Sequence, residues 1–214
     1  NNGGVGTGKG SSNTGGNSIA APNQNTSHLI QELPHDIFND IAGVEWAKEA
    51  IVNLAEKGII AGKGNNEFYP NDNITREEFV KMVVAAFFED VEPKEISFSD
   101  ITDDSWSKIY IMKAYGCGII SGYSDDLFGA KNHVTRQDMA VILYRAALKK
   151  GIEFDASSSK TFQDENELPE YAIEAVNKLY NANIINGIES DVFGGRALAT
   201  RAQAAKMIFG LISE

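Results

Sequence analysis

Three of the five arginines in this chain, Arg76, Arg136 and Arg201, stand directly after a threonine and two residues before Glu78, Asp138 and Gln203. The pattern Thr-x-x-Glu/Asp/Gln is a helix-starting capping box, or its near relative at Thr135, in which the hydroxyl and the third side chain satisfy orphan amides. The arginine between them has no such explanation. A cation in the first helical turn opposes the helix dipole and forfeits about 0.3–1 kcal/mol. Lysine, nearly three times as common in the chain, never takes the position, so the planar two-pronged donor itself is in demand. Together with free amides at a helix N-terminus, such an arginine would hold a carboxylate or a phosphate. The alternative is an internal salt bridge to Asp40, Asp100 or Asp164 that locks neighbouring repeats. The two roles are compatible.

These arginines belong to a repeat counted directly on the chain. Its three openings are Phe38-Asn39-Asp40, Phe98-Ser99-Asp100 and Phe162-Gln163-Asp164, followed by Trp46 and Trp106 six residues after the aspartate and Tyr171 after seven. Twelve residues on come Gly58, Gly118 and Asn183, each followed by Ile-Ile-x-Gly ending at Gly62, Gly122 and Gly187. Phe68, Phe128 and Phe193 stand six residues further, and seven more reach the Thr-Arg pairs. A large aromatic at a helix start reads first as core, with sugar stacking as the sharper alternative. The aspartates read as caps or turn residues. The glycines permit a turn or the close approach of a ligand to the backbone.

The spacing predicts helix, long loop, helix in each repeat. Trp46, Ala50, Ile51 and Leu54 fall on one helical face, as do Tyr171, Ala175, Val176 and Leu179. These faces predict a central bundle made of the first helices. Gly58, Gly118 and Asn183 are the residue types that end helices in the left-handed conformation. Period-two alternation is absent, so the fold class is all-α. A unit of about 50 residues buries too little by itself, and no end repeat is atypical, so three copies are expected to close into one pseudo-threefold core. The expected boundaries are repeats at 38–97, 98–161 and 162–214, a lead-in at 28–37 and a linker at 1–27.

That linker carries seven glycines in its first 16 residues, the composition of a flexible tether to something upstream. Gly3 to Lys9 nearly matches a phosphate-binding loop, but Gly10 replaces the required Ser/Thr and no apolar strand precedes it. The N-terminus has neither the basic nor the apolar region of a signal peptide, which is therefore expected to lie outside this sequence or to have been removed. No apolar run has the ~18–20 residues of a membrane span. The net charge of −11 disfavours nucleic acid or anionic lipid as partner through bulk electrostatics, so an anionic partner has to be captured locally. The single cysteine, Cys117, permits no internal disulfide and reads as a small apolar filler. Asp103-Asp104 and Asp125-Asp126 occur only in repeat two, and His28, His35 and His133 occupy no repeated position. Catalysis, a metal and a cofactor are therefore not expected. A helical protein–protein interaction module remains the rival to a sugar-binding one.

The combination of Phe-x-Asp, Trp, Gly-Ile-Ile-x-Gly, Phe and Ile-Thr-Arg-x-Glu resembles the S-layer homology module, in three tandem copies over residues 38–214. The resemblance implies a three-pronged spindle around a central three-helix bundle, with the first helices at its centre. It further implies non-covalent anchoring of a surface protein to the secondary cell wall polymer of a Gram-positive-type envelope. In that family the polymer often ends in pyruvylated N-acetylmannosamine, held in grooves between modules. Carried over by position, Arg76, Arg136 and Arg201 would grip the ketal carboxylate. Asp40, Asp100, Asp164, Trp46, Trp106, Tyr171, Gly62, Gly122 and Gly187 would line the grooves. Repeat three departs, with Tyr171 for Trp, Gln203 for Glu and one inserted residue, so its groove is expected to be the weakest. Lysine at Arg76 or Arg136 is expected to weaken binding and leave folding intact.

Overall fold

The computed structural model describes residues 37–155 and 160–213. The predicted linker, the near phosphate loop, His28, His35 and the lead-in apart from Ile37 lie outside them. Six helices follow in order: α1 (Glu45–Glu56), α2 (Arg76–Phe87), α3 (Lys108–Gly116), α4 (Arg136–Lys149), α5 (Glu170–Asn181) and α6 (Arg201–Ile212), with a 3₁₀ turn at Glu165–Glu167. Among the described residues there is no strand, only isolated antiparallel bridges.

Local chemistry sets these limits. Thr75 and Thr200 each accept the backbone amide of the third helical residue, and Glu78 and Gln203 reach back to the threonine amides, completing two capping boxes. Thr135 accepts from Asp138, but the return bond is missing because the Asp138 carboxylate binds elsewhere. At the C-termini of α1, α3 and α5, Gly58, Gly118 and Asn183 take φ of +71°, +74° and +57°, the left-handed stop that the sequence predicts.

The helices do not pair within repeats. α1 packs on α6, α3 on α2 and α5 on α4, while α2, α4 and α6 also pack on one another. Each prong therefore joins the second helix of one repeat to the first helix of the next, and the α1–α6 prong closes the ring. The central three-helix bundle consists of the second helices, which corrects the expectation that the first helices form it. The reason lies in the buried faces. α4 buries eight residues, among them Met139, Ala140, Ile142, Leu143 and Ala147, enough to face a bundle on one side and a prong partner on the other. α5 buries only Ala172, Ala175, Val176 and Leu179, a single stripe. Trp46 and Tyr171 do not belong to the stripes assigned to them: they are 53% and 55% exposed, and Trp106, just before α3, is 54% exposed. Ala47 and Ala172 supply the contacts instead.

At the centre the loops meet before α2, α4 and α6. The amide of Ile74 donates to Ala199 O (3.0 Å), that of Ala199 to Val134 O (2.9 Å) and that of Val134 to Ile74 O (3.0 Å). All three residues are fully buried, and each comes from a different repeat. A fragment lacking repeat one removes a member of this ring, one bundle helix and the cover of α6. Residues 98–214 alone should show no cooperative thermal transition by circular dichroism, and a cooperative melt like that of the whole unit would contradict the swapped pairing.

Candidate ligand-binding grooves

The helix-start arginines are buried, at 5%, 4% and 6% exposure for Arg76, Arg136 and Arg201. Each reaches into the next repeat around the ring. Arg136 donates through Nε to Phe193 O (3.0 Å) and through Nη2 to Asn186 O (2.7 Å). Arg201 donates through Nε to Phe68 O (2.8 Å) and through Nη2 to Ala61 O (2.9 Å). Arg76 makes one such bond, Nη2 to Ser121 O (2.9 Å), and its buried Nε is unpaired. Each guanidinium lies 4.6–4.8 Å from the ring centre of Phe128, Phe193 or Phe68, a cation–π contact that a planar group makes well.

The aspartates hold the other side of the same peptides. Asp40 accepts the amides of Phe68 (2.8 Å) and Tyr69 (2.6 Å), and Asp164 those of Phe193 and Gly194 (both 2.8 Å). Asp100 accepts from Phe128, Gly129 and Ala130. Burial opposes ionisation of Asp100, but these amides outweigh it and hold its carboxyl below the usual range. Arginine and aspartate thus meet through the phenylalanine peptide in repeats one and three. Among the described residues no salt bridge joins Arg76, Arg136 or Arg201 to Asp40, Asp100 or Asp164, which corrects that expectation.

Nor are the helix-start amides free. Arg76 N and Glu77 N donate to Asn132 O and Ala130 O, Arg136 N and Gln137 N to Ala197 O and Gly195 O, and Arg201 N and Ala202 N to Asp72 O and Pro70 O. The carbonyls of the next repeat occupy the place proposed for an anion, so the dipole end of the helix is no site. The turn glycines are required by the fold. A Cβ on Gly62 would stand 2.6 Å from Glu67 O and 2.8 Å from the Phe38 ring, and one on Gly122 or Gly187 would collide with loop carbonyls.

What remains open are clefts built from three repeats at once. One, of about 450 Å³, is lined by Trp46 of repeat one, Arg136 of repeat two, and Asn186, Gly187, Gln203 and Lys206 of repeat three. Its counterpart, of about 180 Å³, has Trp106, Arg201, Gly62, Lys63, Glu78 and Lys81. At the third equivalent place the Tyr171 hydroxyl donates to Asp138 (2.8 Å) and accepts from Gln137 (3.1 Å), which pins the aromatic to the helix beside Arg76. The departures of repeat three therefore fall in two different grooves: Tyr171 belongs with Asp138 and Gln203 with Trp46. Lys81 and Lys206 were not singled out from the sequence. They stand six residues after Thr75 and Thr200, where repeat two has Val141, so extending the spacing by one helical turn would have found them.

The S-layer homology domain model matches residues 37–80, 97–140 and 161–205, more than half of the chain. The chain belongs to this family. Its S-layer homology repeats are 32% identical over 83% of the chain to an exoglucanase of Acetivibrio thermocellus and 32% over 89% to an amylopullulanase of Thermoanaerobacterium thermosulfurigenes, of which the match spans 16% and 10%. They are 35% identical over 56% of the chain to a surface-layer 125 kDa protein of Lysinibacillus sphaericus, spanning 11% of it. The chain thus spans less than a fifth of these relatives. S-layer homology repeats are anchoring modules, and their place is the cell surface, in association with the cell wall of Gram-positive bacteria. Among the described residues no helix is long and apolar enough to cross a membrane.

The arginine geometry revises the expected effect of lysine, whose point charge cannot serve two carbonyls and a ring face together. Each orphaned buried carbonyl costs about 1–3 kcal/mol, and each kcal/mol lowers the melting temperature by roughly 2–4 °C in a unit of this size. Arg136→Lys and Arg201→Lys should each lose several degrees by scanning calorimetry, and Arg76→Lys least. Three equal losses would contradict the bonding pattern.

Proposed function

We propose that the repeats fasten a surface protein to the wall by holding a carboxylate-bearing sugar of a secondary cell wall polymer, of the pyruvyl-ketal N-acetylmannosamine type, in the Trp46 and Trp106 grooves. The observation that carries this reading is the joint lining of one cavity by an exposed indole and a buried arginine. Two of the three side-chain nitrogens of Arg136 are spent on carbonyls, and its Nη1 has no hydrogen-bond partner among the described residues. Burial lowers the pKa of Arg136 to about 10, with Asp164 working against the shift, so the group stays charged at neutral pH while short of water. An incoming carboxylate would supply the missing counter-charge by a charge-assisted bond, and the indole a flat apolar face for the sugar ring.

In this reading Arg136, Arg201, Trp46 and Trp106 touch the ligand. Asp40, Asp100, Asp164, Gly62, Gly122 and Gly187 shape the loops that hold the arginines in place, and Arg76 with Tyr171 forms a weak or closed third place. The module is a binding device and not an enzyme, and needs neither metal nor cofactor. An overall charge of −11 is compatible with an anionic polymer because capture is local, at clefts where Arg136 and Lys206 or Arg201 and Lys81 converge. The upstream protein to which the repeats belong is proposed to be a surface enzyme or layer protein, as the relatives are.

Calorimetric titration against wall polymer with and without its pyruvyl groups tests the reading. Binding should depend on the ketal carboxylate, and equal affinity for the stripped polymer would overturn it. Because the tryptophans are half exposed, Trp46→Ala and Trp106→Ala should leave the melting temperature unchanged. Each should lose about 0.5–1.5 kcal/mol of binding, roughly 2- to 10-fold, at its own groove. Tyr171→Ala should cost little binding. A loss at Tyr171→Ala equal to those of the tryptophan variants would show three equivalent grooves.

A further inference from the structure

The two open grooves share an aromatic, a buried arginine and a lysine, but the Trp106 groove adds a carboxylate, Glu78, and a second lysine, Lys63, that the Trp46 groove lacks. In the Trp106 groove, Glu78 Oε1 lies 3.7 Å from Arg201 Nη1 and 3.9 Å from Lys63 Nζ, and Lys63 also bonds Asp72 at 3.2 Å. The cations there already have partners from the protein. In the Trp46 groove the residue equivalent to Glu78 is Gln203, and Ile188 replaces Lys63. No acid is among the lining residues, so Arg136 and Lys206 face the cavity with no carboxylate of its own.

From this we infer that Gln203 makes the Trp46 groove the stronger anion site, and that Glu78 acts in the Trp106 groove as a built-in competitor that a ligand carboxylate has to displace or outbid. The substitution that reads in the sequence as a departure from the Thr-Arg-x-Glu motif is a specificity determinant. It costs nothing structurally, because Gln203 closes the same reciprocal box with Thr200 that Glu78 closes with Thr75. The electrostatic surroundings agree. Arg201 is supported by Glu78 first and then by Asp72 and Asp40, whereas Asp164 alone supports Arg136. Asp164 is in turn engaged by two backbone amides.

The inference rests on the reading of the grooves as carboxylate–sugar sites, and one experiment separates the two. The chain has two tryptophans, one in each open groove, so their indole N–H resonances report each site independently. The probe is the methyl glycoside of pyruvylated N-acetylmannosamine, with the unpyruvylated glycoside as control, titrated into the protein and the variants Gln203→Glu and Glu78→Gln. Both exchanges preserve a box already present in the fold, so both variants should remain folded. Gln203→Glu should not move the melting temperature, whereas Glu78→Gln, which takes away the carboxylate 3.7 Å from buried Arg201, should lower it slightly. In the parent protein the Trp46 signal should saturate at lower probe concentration than the Trp106 signal. Gln203→Glu should weaken binding at Trp46 by about 1.5- to 5-fold, the effect of one partly screened charge, and leave Trp106 unchanged. Glu78→Gln should strengthen binding at Trp106, and the neutral control should respond to neither exchange. Binding at both indoles that ignores the exchanges, or a tighter Trp106 site in the parent, overturns the inference and leaves the parent reading standing. Silence of both indoles toward the pyruvylated probe overturns both.

Discussion

Three buried amides at the pseudo-threefold axis cannot be satisfied within their own repeat. Leaving one unpaired costs about 1–3 kcal/mol, and the Ile74, Ala199 and Val134 peptides escape this by donating to one another in a closed cycle. The next shell closes in the opposite sense of rotation. The first two amides of α2, α4 and α6 donate to carbonyls of the following repeat, and the arginine side chains reach in the same direction. A chain of two repeats would leave one step of every cycle open, and a fourth could enter only by breaking one. Three is therefore the number at which the hydrogen-bond pattern closes, and the pairing of α1 with α6 is its expression at the level of helices.

The helix-start arginine follows from this constraint. In Arg136 and Arg201 the backbone amide, Nε and Nη2 all serve the neighbouring loop, in Arg76 the amide and Nη2 alone, and each planar face covers the neighbour's phenylalanine. A structural role and a binding role are not rivals at this residue, because the carbonyls and the ring fix a desolvated guanidinium with a nitrogen left over. Such a group would be pre-organised for a carboxylate, with little side-chain entropy left to lose on binding. The cost is paid in folding, where burial destabilises the charge and depresses the pKa of all three arginines.

Much of this was legible in the sequence because it is local. The capping boxes, the left-handed stops at Gly58, Gly118 and Asn183 and the demand for arginine over lysine each follow from a few adjacent residues. What could not be read was the identity of partners across space. In a threefold repeat, a contact within a repeat and the same contact to the next repeat carry the same spacing signature, so α1 could not be assigned to α6 rather than α2. Exposure of Trp46 was hidden for a related reason: helical period places it near the stripe of Ala50, Ile51 and Leu54, and only the position of α6 decides that Ala47 takes the buried place. The anion site at the helix N-termini failed because the carbonyls that fill it come from loops about 55 to 130 residues away in the chain.

Closed symmetry also explains how the grooves can differ while the scaffold does not. The residues that close the cycles are constrained three times over, since each is both donor to one neighbour and acceptor from another. The residues that face the clefts are outside those cycles. Position six after the threonine is Lys81, Val141 or Lys206, and the box residue is Glu78, Asp138 or Gln203. At the third place the shorter Asp138 gives up its return bond to Thr135 and takes the hydroxyl of Tyr171 instead. An indole carries no hydroxyl for this purpose, so the change from tryptophan to tyrosine and the change from glutamate to aspartate complete each other across two repeats. A pair of substitutions that looks in each repeat like separate decay is one coordinated exchange, in which an exposed aromatic becomes a strut between α4 and α5.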